Sequence, residues 1–384
     1  MIIEKMKKVI ILLLFICLFG CHTKEDDFLI YVISDTHYIS DSLVDPNNKI
    51  YTKEYLTPDC RNQKDEDILI DSLINEINDN DVDLVVFTGD LSYHGSLISL
   101  KEFKNKINKI NTKVLVIPGN HDLYIQNTYS FINDMSYKVE NVDNESFKEL
   151  FKDNGYDSLY QDKDSLSYAY IANEKIMCLM LDTTKCRYND SNNQNLAGGY
   201  LSDRTLVWIE EMLKYAKEND FKVLSFTHHN LLVHNELFKN GYVIDNADKL
   251  VSLYKKYDVK LNMSGHMHIQ HIKQEDGVVD ITNGSYLMYG NRYGILNISD
   301  NQIEYSSKQI KVDGINIQNN SLSYFTNSDF FEDENVGLLM AHYFDGDYEY
   351  IKNNYKKENI NNYSVNILFN SLENNNQHFI VIEY

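Results

Sequence analysis

The chain is short of positive charge. Against 57 Asp and Glu it carries 36 Lys and Arg over 384 residues, a formal net charge of −21. A surface of that sign repels polyanions, which argues against a nucleic-acid polymer as partner unless metal ions or a local basic patch intervene. A small anionic substrate held by metal ions stays compatible. Cysteine is also scarce: of 5, none has the spacing of a zinc-thiolate site. Cys178 lies inside the apolar run Ile176–Leu181 and reads as an inert core residue. Cys60 and Cys186 sit in polar, loop-like contexts where they could pair outside the cytoplasm, and the sequence leaves that pairing open. Only 3 Pro occur, a trace of coding composition that carries no mechanism.

The first apolar run, Val9–Phe19, is too short to span a bilayer. It follows Lys5, Lys7 and Lys8, which is the build of a secretory signal. It closes on Leu18-Phe19-Gly20-Cys21, which resembles the lipobox of bacterial lipoproteins, where cleavage leaves the cysteine as the lipid-bearing first residue. A plain signal peptide with a chance cysteine is the alternative. We therefore expect a signal peptide over 1–20, a polar tether over 21–27, and attachment to the outer side of a bacterial membrane through lipid on Cys21. The remaining length suits one large domain, expected over 28–310, and a small second one over 311–384.

Five apolar, strand-like runs end in residues capable of chemistry. Phe28–Ser34 ends in Asp35-Thr36-His37, Leu84–Thr88 in Gly89-Asp90, and Val114–Ile117 in Pro118-Gly119-Asn120-His121-Asp122. Val223–Thr227 runs into His228-His229, and Val259–Ser264 into Gly265-His266-Met267-His268. Open α/β sheets place ligands at the carboxyl ends of their strands, and scattered surface polar residues would not select those ends each time. Between the first three runs, Ile70, Leu73, Ile74 and Ile77, then Leu100, Phe103, Ile107 and Ile110, repeat at helical spacing. Strand, helix, strand, helix, strand is the pattern of a parallel α/β half.

Farther along, Tyr38–Gln63 reads as a functional loop near the site, and Tyr124–Asp164, rich in aromatics, as a lid or cap. Ser167–Ile171 and Lys175–Leu181 form a hairpin in a second sheet, and Ser202 caps a helix that buries Leu206, Ile209, Leu213 and Ala216. The single Trp208 beside them reads as core. A further helix lies around Leu250–Tyr254. Val278–Thr282, Tyr293–Ile298 and Gln302–Ser306 are expected to finish the second sheet. Past Lys311 the pattern is helical, around Leu338–Tyr343 and Tyr348–Lys357, without metal-ligand spacing.

Two divalent ions about 3.5–4 Å apart need a shared carboxylate, several imidazoles and room for a water. Asp35 with His37, and His266 with His268, are pairs with a one-residue gap that can turn to one point; Asp90 is the natural bridge. Asn120 offers a neutral oxygen, and one of His228 and His229 completes the set. Either alone would be weak, since a buried histidine satisfied by hydrogen bonds is commoner than a ligand. Together and in order, Asp-x-His, Gly-Asp, Gly-Asn-His-Asp, His and Gly-His-x-His resemble the calcineurin-like metallophosphoesterase pattern over roughly Phe28 to Ser306. The flanks Gly89–Gly95 and Thr227–Asn235 look like its cyclic-nucleotide phosphodiesterase-like branch, which includes bacterial lipoproteins.

That resemblance implies a four-layer α/β/β/α sandwich of two mixed sheets, here with a small, mainly helical C-terminal appendage. It implies two divalent ions, Mn, Fe, Zn or Co: one on Asp35, His37, Asp90 and His268, the other on Asp90, Asn120, His228 and His266. His228 is preferred to His229 because it directly ends its strand. Where many relatives have Pro, Asn230 stands here, beside the metals and available to substrate. His121 is not needed as a ligand, which leaves it to protonate a leaving alkoxide, oriented by Asp122. The expected activity is hydrolysis of a small phosphodiester, a cyclic nucleotide or glycerophosphodiester, by attack of a metal-bridging hydroxide. A broad phosphomonoesterase and a non-catalytic substrate-binding lipoprotein are the alternatives.

Overall fold

Side chains alternate across a strand, so the partners of odd and even residues reveal what lies on each side. The computed structural model describes residues 27–53, 60–186, 196–327, 331, 333–356, 363–370, 372 and 376–384. The expected signal peptide and Cys21 lie outside the described residues. β1 (Phe28–Ile33), β2 (Leu84–Phe87) and β3 (Lys113–Val116) run parallel, joined by α1 (Glu66–Asn78) and α2 (Leu97–Ile107). Ile70, Leu73, Ile74 and Ile77 of α1 and Leu100, Phe103 and Ile107 of α2 are buried in one cluster with the strands.

The chain continues through a separate hairpin, β4 (Tyr129–Ile132) and β5 (Met135–Lys138), then α3 (Asn144–Leu150), β6 (Tyr160–Gln161), β7 (Tyr168–Ile171) and β8 (Ile176–Leu181). Next come α4 (Asp203–Glu218), β9 (Lys222–Thr227), α5 (Ala247–Tyr257), β10 (Leu261–Ser264), β11 (His271–Glu275) and β12 (Val278–Thr282). Ser202 caps α4, its hydroxyl accepting from the Thr205 amide at 3.1 Å. The second sheet has the order β11-β12-β10-β9-β8-β7-β6. Its β8 divides by alternation: Cys178 and Met180 join the cluster of the first sheet, whereas Met177, Leu179 and Leu181 pack with Leu206, Ile209 and Leu213 of α4 and Leu250 and Tyr254 of α5. The two sheets therefore meet face to face with helices outside each, a four-layer α/β/β/α sandwich.

Three expectations change. β13 (Arg292–Ile298) and β14 (Gln302–Gln309) do not finish the second sheet: β13 pairs antiparallel with β1, Phe28 opposite Ile298, and β14 pairs with β13. The chain crosses between sheets after β12, where the Asn283 side-chain Nδ2 donates to the Val32 carbonyl at 2.7 Å. Part of 124–164 is foundation and not lid, since Phe147, Phe151 and Tyr156 are buried in the first cluster. Beyond β14, the helices α6 (Ile317–Thr326), α7 (Glu334–Asp345), α8 (Tyr348–Asn354) and α9 (Tyr363–Asn370) build a third cluster with Met267, Ile269 and Met288. The appendage then returns as a strand, β15 (Phe379–Glu383), on the outer edge of the first sheet. An Arg292–Asp345 ion pair, mostly buried, ties α7 to β13.

Candidate metal centre

The five strand ends meet at one place because their continuations are stitched together. Past β1, the Asp35 amide donates to the Gly89 carbonyl at 3.2 Å and the His37 amide to the Asp90 carbonyl at 2.8 Å. Past β10, the His266 amide donates to both Asp35 carboxylate oxygens at 3.1 Å. Past β3, the His121 amide donates to Asp90 Oδ1 at 2.8 Å. Asp35, His37, Asp90, His266 and His268 all adopt left-handed backbone, with φ of 55°, 43°, 49°, 65° and 59°. Asp and His tolerate that region better than most residues, yet five of them in three turns is backbone strain gathered at one site.

Glycine makes the approach close enough. A Cβ on Gly265 would lie 1.8 Å from Ser34 Oγ and 2.6 Å from Asp35 Oδ2, and one on Gly119 would lie 2.1 Å from Asp90 Oδ1. A side chain at Gly265 would have to displace Ser34 and Asp35, and one at Gly119 the Asp90 backbone as well as its carboxylate.

Two groups of donor atoms result, each with its members within 4.8 Å of one another: Asp35, His37, Asp90 and His268, and Asp90, His228 and His266. Asp90 is common to both. Its Oδ2 is 3.3 Å from His228 Nε2 and 3.7 Å from His37 Nε2. His268 Nε2 is 3.4 Å from Asp35 Oδ1 and 2.9 Å from His37 Nε2. Asn120 Oδ1 lies 3.0 Å from His228 Nε2, which brings it to the second group. Backbone carbonyls set the rings: His228 Nδ1 donates to Thr88 at 2.9 Å, and His266 Nε2 to Gly241 at 3.0 Å, leaving the other nitrogen of each as the donor atom.

Burial pushes the Asp90 carboxyl upward, but His228 and His121 prevail and hold it well below the usual carboxylate range. Asp35 is likewise lowered, with His268 overcoming burial. Burial and then Arg61 hold His37 far down, and burial and His228 hold His266 at about 3. His228 is opposite in sign: burial pulls it down, while Asp90 lifts it to about 9. Ionised carboxylates and neutral imidazoles are the forms that ligate a cation, and the proton Asp90 keeps on His228 is the one a cation would displace. Nitrogen and oxygen donors without thiolate fit Mn, Fe, Co or Zn.

The pair His228-His229 divides cleanly. His229 faces away, Nδ1 at 2.8 Å from Thr183 Oγ1 and Nε2 at 2.8 Å from the Ala197 carbonyl. Two readings need correction. Asp122 does not orient the His121 ring: its oxygens accept from the amides of Leu91, Ser92 and Gly119 and from Ser92 Oγ, at 2.8–3.0 Å. It braces the Asp90 loop against the Gly119 turn. Asn230 does not face substrate either; it is wholly buried, and its amide donates to Ser264 Oγ at 2.8 Å beneath the centre.

What orients His121 is the Tyr93 carbonyl, 2.8 Å from its Nδ1. Tyr93 and Arg61 escape a reading of side-chain chemistry. The Arg61 guanidinium lies 4.5 Å above the Tyr93 ring, and the neighbouring Gln63 amide donates to the His37 carbonyl at 3.0 Å. The loop Tyr38–Gln63 thus reaches the site through its far end; the only advance signal for Tyr93 was its place inside Gly89–Gly95. Cys186 donates its thiol to the Asn120 carbonyl at 3.4 Å, and Cys60 is a buried thiol elsewhere, so the two do not form a disulfide.

A family model described as calcineurin-like phosphoesterase matches residues 28–270. A 3',5'-cyclic-nucleotide phosphodiesterase of Nostoc sp. is 26% identical over 199 residues, 52% of this chain and 60% of that protein. A probable glycerophosphodiester phosphodiesterase of Arcobacter nitrofigilis is 29% identical over 192 residues, 48% of this chain and 56% of that one. The chain therefore spans little more than half the length of these curated relatives. Among solved structures, a dimetal phosphatase from Danio rerio superimposes with a TM-score of 0.56 at 15% identity, over 74% of this chain and 96% of that one; at that identity the likeness is one of fold.

Proposed function

Because the chain belongs to the calcineurin-like phosphoesterase family, we propose that it is a metal-dependent phosphodiesterase of small diesters, cyclic nucleotides or glycerophosphodiesters. The observation that carries this reading is the single buried carboxylate, Asp90, common to two groups of Asp and His donors. In it, Asp35, His37, Asp90 and His268 hold one divalent ion, and Asp90, Asn120, His228 and His266 a second. Bound ions would supply Lewis acidity at the phosphoryl oxygens and a water that ionises near neutrality. The names of the Nostoc and Arcobacter relatives fit a diester in preference to a monoester.

The chain's own groups supply orientation and a proton. The His121 amide fixes Asp90 Oδ1, so that Oδ2 is aimed at His228 and His37. His121 Nδ1 is engaged by the Tyr93 carbonyl, and its proton exchange is confined to Nε2, from which it protonates the leaving alkoxide. An excess of acidic residues keeps nucleic-acid polymers away, while a small diester is drawn by the centre itself. Anchoring outside the cytoplasm through lipid on Cys21 completes the reading. It rests on the basic and apolar segments before that residue.

The test strips the purified protein with a chelator, restores Mn, and compares a bis-aryl phosphodiester with an aryl phosphomonoester. Activity should vanish on stripping, return with Mn and favour the diester. Preference for the monoester would make the protein a phosphomonoesterase, and inertness toward both with Mn present would make it a binding protein.

A further inference from the structure

Apart from the metal centre, the loop after β9 and the first residue of β11 bring two more imidazoles together. His234 Nδ1 and His271 Nδ1 are 2.8 Å apart. His234 Nε2 is 3.1 Å from Asp280 Oδ2, an oxygen that also accepts from the Leu231 and Leu232 amides at 2.7 and 2.8 Å. A carboxylate so surrounded by donors accepts from His234 as well, so the His234 proton sits on Nε2 and its Nδ1 lone pair is turned to His271. Asp280 is wholly buried and further held by the Asn262 amide at 2.8 Å. A fixed carboxylate behind an imidazole is the arrangement that orients metal-binding histidines.

The pair opens on a cavity of ≈ 200 Å³ between the second sheet and the C-terminal helices, lined by Glu236 and Lys273 on one side and Tyr343 and Tyr348 on the other. With neutral imidazoles, Asp280 and Glu236 outweigh Lys273, so the local charge suits a cation better than an anion. Two histidine nitrogens facing at hydrogen-bond distance beside a carboxylate also occur in the metal centre, where His37 and His268 are 2.9 Å apart.

We propose that His234 Nδ1 and His271 Nδ1 bind a divalent cation of the zinc class, at a site separate from the metal centre and at the seam with α7 and α8. Its remaining coordination positions open to water in the cavity. The site does not depend on the phosphodiesterase reading, because none of its groups belongs to that constellation.

Zinc alone is the probe. Wild type, His234→Gln and His271→Asn are loaded with Zn²⁺, freed of excess and analysed for metal per chain. Gln at 234 retains the N–H for Asp280 but not the contact to His271, whereas Asn at 271 retains an N–H at the Nδ1 position for His234; each loses one imidazole ligand, and the Asn variant keeps the hydrogen bonding. Each variant should hold one equivalent less than wild type, with unchanged turnover of aryl phosphodiester, and should bind zinc at this site at least about tenfold more weakly. Equal zinc in all three proteins would mean that the pair shares a hydrogen bond and nothing more. Anomalous diffraction at the zinc edge from wild-type crystals decides independently of how the variants fold: a peak between the two imidazoles supports the site, and its absence after zinc soaking overturns it.

Discussion

His121 and Asp122 are neighbours in the chain but serve different masters, and replacing each should separate proton transfer from scaffolding. With His121→Ala the Tyr93 carbonyl loses a donor and the proposed reaction would lose its acid, while the Asp90 backbone contact survives. Rates on ribose or glycerol esters should fall roughly 10²–10⁴-fold, far less on nitrophenyl esters, with metal content unchanged. Asp122→Ala leaves the Leu91, Ser92 and Gly119 amides without their buried acceptor. Each such donor costs about 1–3 kcal/mol, so that variant should melt several degrees lower, lose metal, and slow equally for every leaving group. Rates across a leaving-group series, with metal analysis on the same samples, measure both; a flat ratio for His121→Ala would end its role as acid. The residue types at the centre were legible because carboxylates and imidazoles announce themselves. Asp122 was misread because a carboxylate after a histidine looks like its orienter, whereas the tight Gly119–Asp122 turn folds it back to the Gly119 amide. The true orienter is a backbone carbonyl, which no residue name reveals.

Among elements, the turns matter more than the strands they end. Left-handed backbone at Asp35 and His266 lets β1 and β10, from different sheets, present donors within one hydrogen bond of each other. Gly265 is the clearance between them. Gly265→Ala should keep the sandwich, since the strands on either side are buried independently of it, yet push aside Ser34 and with it the Asp35 carboxylate that Ser34 Oγ holds, and weaken metal retention by at least about tenfold. Circular dichroism with metal analysis after gel filtration checks this, and an Ala variant with full metal would show that the turn yields. The element pattern was legible for β1, β2, β3, β9 and β10, whose apolar runs break sharply into polar residues. It failed for β13 and β14 because alternation in Tyr293, Leu296, Ile298 and Ile303 reports burial without naming the sheet that buries them. The sheet was chosen by the crossing after β12 and the ladder that follows it, Phe28 opposite Ile298 through Val32 opposite Gly294, which no residue of β13 announces.

For the whole molecule, β1 starts just past the proposed tether and ends two residues before Asp35. A diacylglyceryl group supplies two chains, enough for stable attachment where one is marginal. Cys21→Ala should move the protein to the soluble fraction or leave it unprocessed, as read by fractionation and the mass of the N-terminal peptide; a processed form still in the membrane would refute lipid attachment. The donors of the metal centre stretch from Asp35 to His268 and come from both sheets. In the unfolded chain, no more than two of them are close in sequence, so no ion can be captured until the sandwich closes. If the proposed signal exports the chain unfolded, closure would happen beyond the membrane. The surroundings of the cell, with whatever manganese, iron or zinc they contain, would then decide which ion the protein carries, ahead of the rank of affinities that its nitrogen and oxygen donors impose.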